Sequence, residues 1–143
     1  MKRCQWSINV STNSLRAFVQ IARTLFVFDG CVGTLLIIIL SLVPVTLRPH
    51  TGAGGSIEHW IAYTLVALAF GLGLQRLRLR LLVGVALSVG SGVLELLQNF
   101  VPGRNPEVIG FVASSLGVWA GLGFAALLMA KFGPYLTPGE DEL

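Results

Sequence analysis

Charge is what this sequence has least of. Ten Lys and Arg and seven Asp and Glu make up 12% of 143 residues, while 54% are hydrophobic. A soluble domain carries about twice that charged fraction, so an ordinary water-exposed surface is excluded and the chain reads as a membrane protein. The net charge of +3 is too small and too scattered for a nucleic-acid surface. Two cysteines, Cys4 and Cys31, offer neither a disulfide framework nor metal-ligand spacing and are read as small inert side chains. Two histidines, no recognisable Ser-His-Asp arrangement and no Gly-rich phosphate loop leave little to argue for catalysis, and no cofactor is expected.

What is present is apolar sequence in long runs. A hydrocarbon core of about 30 Å needs about 20 helical residues, and four stretches suffice: 24 to 45, 57 to 75, 81 to 101 and 107 to 130. The expected fold is all-α, a single membrane domain of four transmembrane helices. The first stretch, TLFVFDGCVGTLLIIILSLVPV, is too long for a signal peptide and no small-x-small cleavage pattern follows it.

Lys2, Arg3, Arg16, Arg23, Arg76, Arg78, Arg80 and Lys131 fall on one side of these spans, and only Arg48 and Arg104 on the other. The positive-inside rule therefore expects both termini in the cytoplasm. Arg76, Arg78 and Arg80 read most simply as snorkelling anchors, with headgroup binding as the sharper alternative. Leu15, Phe18, Val19, Ala22 and Phe26 recur at helical spacing, which suggests an amphipathic lead-in over 14 to 23 at the inner interface. The acidic, turn-rich tail 133 to 143, GPYLTPGEDEL, is expected to be disordered. Its ending is like an ER-retention signal without the usual Lys or His, and on the cytoplasmic side it would not be read as one.

The stretch VLELLQNFVPGR, residues 93 to 104, is the exception to this oiliness. Pro102 and Gly103 suit the central positions of a type II turn, Asn105 can cap the fourth span with Pro106 at its first position, and Glu107 sits beside the positive end of the helix dipole. Spans three and four should then form a tight hairpin. At about 100° per residue, Gly84, Ser88, Ser91, Gly92, Glu95 and Gln98 share one face of span three, and Val89, Val93 and Leu97 the other. Ala113, Gly117, Gly121 and Ala125 form a small-xxx-small ladder on span four, flanked by Gly110 and Ser114, which is expected to serve that hairpin.

A charged group at mid-membrane costs about 2.5 to 3.5 kcal/mol on the most forgiving scale, so it usually faces a partner or water. Glu95 lies roughly 9 Å inside the outer boundary at about 1.5 Å per residue, with Gln98 one turn further out and Arg104 able to fold back from the turn. His59 and Tyr63, at i and i+4, open span two after a linker, HTGAGGS, whose Ser56 is a candidate N-cap. Trp60 is an ordinary interfacial aromatic. The candidate binding site is thus His59, Tyr63, Glu95, Gln98 and Arg104 in the outer half of the membrane. A metal held by His59, Glu58 and Glu95 is a weaker alternative. Asp29, near Gly30 and Gly33 at the inner end of span one, is assigned to pairing with Arg23 or a neighbouring helix, and otherwise to a proton path.

Those residues resemble the VanZ-like family of small bacterial membrane proteins. The matching pieces are EHWIAY at 58 to 63, ELLQNFVPGR at 95 to 104 and SSLGVWAG at 114 to 121, within a resemblance that covers about residues 40 to 125. It implies a helical fold in the bacterial cytoplasmic membrane, a cell-envelope role and glycopeptide tolerance. In the family pattern an acid stands four residues before the His, and an Asp and an Asn precede the span-four Gly by seven and three. Here those positions are Gly55, Gly110 and Ser114, so the chain resembles a divergent member.

Beyond the lipid bilayer itself, the expected partner is a lipid-linked cell-wall precursor or a glycopeptide, bound by a non-enzymatic protein. The alternatives are a small proton-coupled transporter, a homo-oligomer using Glu95, and a structural protein in which Glu95, Gln98 and Arg104 tie helix ends together. An intramembrane enzyme acting on lipid-linked phosphate is weaker, for want of a nucleophile and base.

Overall fold

A computed structural model describes the backbone of residues 2–44, 54–103 and 107–136, and the side chains of 14–44, 54–103 and 107–133. Four α-helices follow one another among the described residues: α1, Lys2–Leu42; α2, Gly55–Gly73; α3, Leu77–Leu97, prolonged by a 3-10 turn over Gln98–Phe100; and α4, Val108–Leu136. Each is long and apolar enough to cross a membrane. The protein is therefore an all-α, multi-pass membrane protein.

The helix ends depart from the sequence reading in ways local chemistry explains. The lead-in over 14 to 23 is no separate element. It continues unbroken into span one, and α1 at 41 residues is about 60 Å long, twice the hydrocarbon thickness. At its far end the last helical bond is Val43 N–H to the Ile39 carbonyl, 3.1 Å, just before Pro44, which has no N–H to give. Ser56 is not the cap of α2. That place falls to Gly54, which makes no side-chain cap bond and holds φ 82, a left-handed value that suits glycine.

The link from α2 to α3 is only three residues long, Leu74 to Arg76, with Leu74 and Arg76 extended. Helix α3 thus starts four residues earlier than expected and takes Arg78 and Arg80 into its first turn. Pro102 and Gly103 form a turn with Gly103 at φ 77, as a type II turn requires. Asn105 and Pro106 lie outside the described residues. Glu107 directly precedes α4 instead of standing inside its first turn, and its carbonyl accepts the Gly110 N–H at 2.8 Å. At the other end α4 runs on to Leu136, into the stretch expected to be a disordered tail; residues 137–143 lie outside the described set.

The contacts fix an up-down-up-down arrangement in which α2 and α4 run parallel and form the most extensive interface. The glycine ladder of α4 serves this seam, and not the hairpin with α3. A methyl group on Gly117 would run into the Trp60 carbonyl, and one on Gly121 into the Thr64 carbonyl. At the next step Ala125 takes the place beside Gly71, where an added Cβ would approach its own at 2.5 Å. Small residues let the two backbones touch, which is how helices associate when lipid competes for apolar side chains. Around the seam, Tyr63, Val66, Ala67, Phe70, Val118 and Leu122 are buried with Leu87 of α3.

Helix α1 packs on α2, where Gly30 seats Phe70, Gly33 seats Val66 and Gly73 lies under the backbone of Arg23 and Val27. Helix α3 leans mainly on α4 and touches α1 and α2 thinly, leaving an apolar cleft of about 510 Å³ between Ile37, Ile38 and Leu42 on one side and Val83, Gly90 and Leu94 on the other. Its facing is as the sequence reads. Gly84, Ser91 and Gln98 are buried, while Val89, Val93 and Leu97 are 60%, 48% and 42% exposed.

Candidate functional site

The polar residues of α3 gather where that helix meets the start of α4. Gly92 packs beneath Phe111, with room for a Cβ only at 3.3 Å from the ring. One turn on, the Glu95 carboxylate lies directly against Gly110, in the space any side chain at 110 would need. Its Oε2 accepts the backbone N–H of Glu107 at 3.3 Å. This N–H, just ahead of the helix, has no partner within it, and the positive end of the α4 dipole favours an anion there. The sequence reading gave that stabilising role to the Glu107 side chain. In the structure it falls to Glu95, reaching across from α3.

Tyr63 is 3% exposed in the core of α2 and lies within electrostatic reach of Glu95. His59, one turn before it and half-buried, stacks on the Tyr63 ring with centroids 6.5 Å apart and planes inclined by 28°. His59 and Tyr63 thus form one stacked pair on α2, with the Glu95 charge at the α3–α4 junction near enough for Tyr63 to feel its field. Gln98 is buried at 3% exposure where α3 tightens into its 3-10 turn, and its Nε2 has no hydrogen-bond partner among the described residues. A buried amide donor without a partner costs about 1 to 3 kcal/mol, so it marks a place where polar capacity is held unused. Arg104 lies outside the described residues.

Beside this set a groove of about 510 Å³ opens between α3 and the first turns of α4. Val89, Val93, Leu96, Val108 and Phe111 make it apolar, and Glu95, Asn99 and Glu107 give one end oxygen and amide groups. Asn99 and Glu107 were not among the residues the sequence singled out for binding. Asn99 follows Glu95 at i+4 and was legible by spacing alone. Glu107 is brought in by the turn, which no helical wheel shows.

No family model, curated protein or solved structure matches the chain. The chemistry open to the site is set by its own groups. The described polar atoms are mainly acceptors, two carboxylates and the Asn99 and Gln98 carbonyls, joined by amide donors and the Tyr63 hydroxyl. Such a set suits a ligand with amine, amide or hydroxyl donors and an apolar body. No three His, Cys, Asp or Glu side chains among the described residues are placed to hold a metal, so His59, Glu58 and Glu95 do not assemble as ligands. Asp29 is exposed on α1, and no ion pair joins it to Arg23 among the described residues.

Proposed function

We propose that the protein is a divergent VanZ-like protein of the bacterial cytoplasmic membrane, with both termini in the cytoplasm. On this reading His59, Tyr63, Glu95, Gln98 and Arg104, joined by Asn99 and Glu107, bind a lipid-linked cell-wall precursor or a glycopeptide without chemical conversion. The observation that carries it is the groove between α3 and α4, apolar along its walls and lined at one end by Glu95, Asn99 and Glu107. An amphipathic ligand with a long apolar part and an amide- or amine-bearing head matches both halves of that groove. The family pattern has an Asp where this chain has Gly110, and here the Glu95 carboxylate fills the space that glycine leaves. The position has lost a side chain and kept an acid nearby.

Glu95→Gln and Glu107→Gln together keep the shape and remove both charges. Cells expressing equal amounts of this variant should lose glycopeptide tolerance, and the purified protein in lipid discs should bind lipid-linked precursor at least about tenfold more weakly, the loss of one charge-assisted hydrogen bond. If tolerance and binding both stay at the level of the parent chain, the reading is wrong. A structural reading has one specific observation behind it, the Glu107 N–H bond to Glu95, which ties α3 to α4. It expects the same variant to lose stability in detergent with no ligand to lose.

A further inference from the structure

At the opposite end of the bundle, Arg80 does not reach outward as an anchoring arginine would. Its Nε–H donates to the Leu74 carbonyl at 2.8 Å and a terminal nitrogen rests on Met129 Sδ at 2.7 Å. These contacts cap the end of α2 and turn the guanidinium in between α2, α3 and α4. They also bring it to Met129, whose wall Arg23 of α1 shares, so the two cations stand at the same end of one cleft. No ion pair offsets either charge among the described residues. Two like charges brought together at the edge of hydrocarbon are an unfavourable arrangement unless an anion sits between them.

Arg23 also lines a cleft of about 340 Å³ between α1, the end of α2 and α4. Its walls are Phe18, Val19, Phe26, Leu72, Leu128 and Phe132, and the Arg80 partner Met129 belongs to the same wall. Phe18 and Phe132 are 68% and 48% exposed, so the cleft opens sideways to the bilayer. A cationic rim above an apolar slot is complementary to one class of molecule in this setting, an anionic phospholipid: phosphate at Arg23 and Arg80, acyl chain along the aromatic walls.

We infer that the cleft between α1 and α4 is a binding site for an anionic phospholipid, its phosphate held by Arg23 and Arg80. The inference is independent of the site at Glu95 and requires only that the helices span a membrane. It separates Arg80 from Arg76 and Arg78, which are exposed on the chain beside it and serve as general anchors.

The test uses the full chain in neutral detergent, with phosphatidylglycerol or phosphatidylcholine of the same acyl chains added. Bound lipid is counted by native mass spectrometry. Phosphatidylglycerol should bind about tenfold or more tightly than phosphatidylcholine, since each arginine near a headgroup contributes roughly a factor of five. Arg23→Gln with Arg80→Gln should abolish that preference, and Arg76→Gln with Arg78→Gln should keep it. Should loss of the Leu74 bond prevent the double variant from folding, Arg23→Gln alone decides the same point, because Arg23 makes no side-chain hydrogen bond in the described structure. Val19→Trp, which fills the slot and leaves both arginines, should weaken both lipids together.

Equal binding of the two lipids overturns the proposal, as does an equal loss in the Arg76 and Arg78 variant. If inorganic phosphate competes phosphatidylglycerol away at equal concentration, the acyl slot is idle and the proposal fails. It also fails if the preference appears only after Glu140, Asp141 and Glu142 are neutralised, because the chain's own acidic tail is then the occupant.

Discussion

Helix α4 uses small residues against two neighbours, and with opposite results. Against α2, Gly117 and Gly121 bring backbone onto backbone, and their nearest neighbours are main chain and the short side chains of Thr64 and Ala67. Against α3, Gly110 brings a carboxylate onto the helix, and a groove opens beside it. Both are glycines stepping along one helix in an apolar sequence. What differs is the neighbour: α2 offers Trp60 and Thr64 carbonyls already bonded within their own helix, whereas α3 offers Glu95, whose carboxylate takes a bond from the Glu107 N–H. A small residue in a membrane helix therefore specifies close approach, and the facing residue decides whether that approach makes a joint or a site.

The joint should be the more fragile of the two. In Gly121→Ala the new methyl meets the Thr64 carbonyl and stands 2.9 Å from the Leu68 amide nitrogen, all of it backbone that cannot rotate away. The helices must separate, and we expect a loss of about 3 kcal/mol or more, the upper end for overpacking. Reversible unfolding in mixed micelles measures it. A change below about 1 kcal/mol would mean that the α2–α4 seam is looser than described.

Gly110→Ala should cost less, because what it meets is the end of a side chain. The Glu95 carboxylate can swing aside, but only by giving up the Glu107 N–H. The loss of a hydrogen bond to a charged group amounts to about 1.5 to 3 kcal/mol, partly offset by the better helix propensity of alanine. In a Glu95→Ala background the same substitution should be neutral or stabilising by up to about 1 kcal/mol. A double-mutant cycle separates the two cases. Additive effects would show that Glu95 does not occupy the space beside Gly110.

The contrast also explains what could be read from the chain alone. Four helices, the inward face of α3 and the stacking of His59 on Tyr63 follow from length, hydropathy and helical spacing, which act within one element. The partner of the glycine ladder did not follow, because a small face fits any other small face and the wheel of α4 carries no label for α2. The helix termini slipped for a related reason. An apolar count cannot see that α3 begins at Leu77, where Arg78 and Arg80 look like loop until Arg80 is found capping Leu74. Glu107 was given its place by charge, yet its N–H, a group every residue has, makes the contact that matters.

Gln98 gives the smallest effect and the finest distinction. Its Nε2 is buried without a partner among the described residues, so Gln98→Leu removes a desolvation penalty while leaving the volume nearly filled. Stability in detergent should stay level or rise by about 1 kcal/mol. If the amide were a tie between helices, the same change would destabilise by a similar amount, so the sign alone separates the two roles. A rise in stability accompanied by weaker binding of lipid-linked precursor is the expected pairing, because an unpaired amide retained at a stability cost belongs to a ligand and not to the fold.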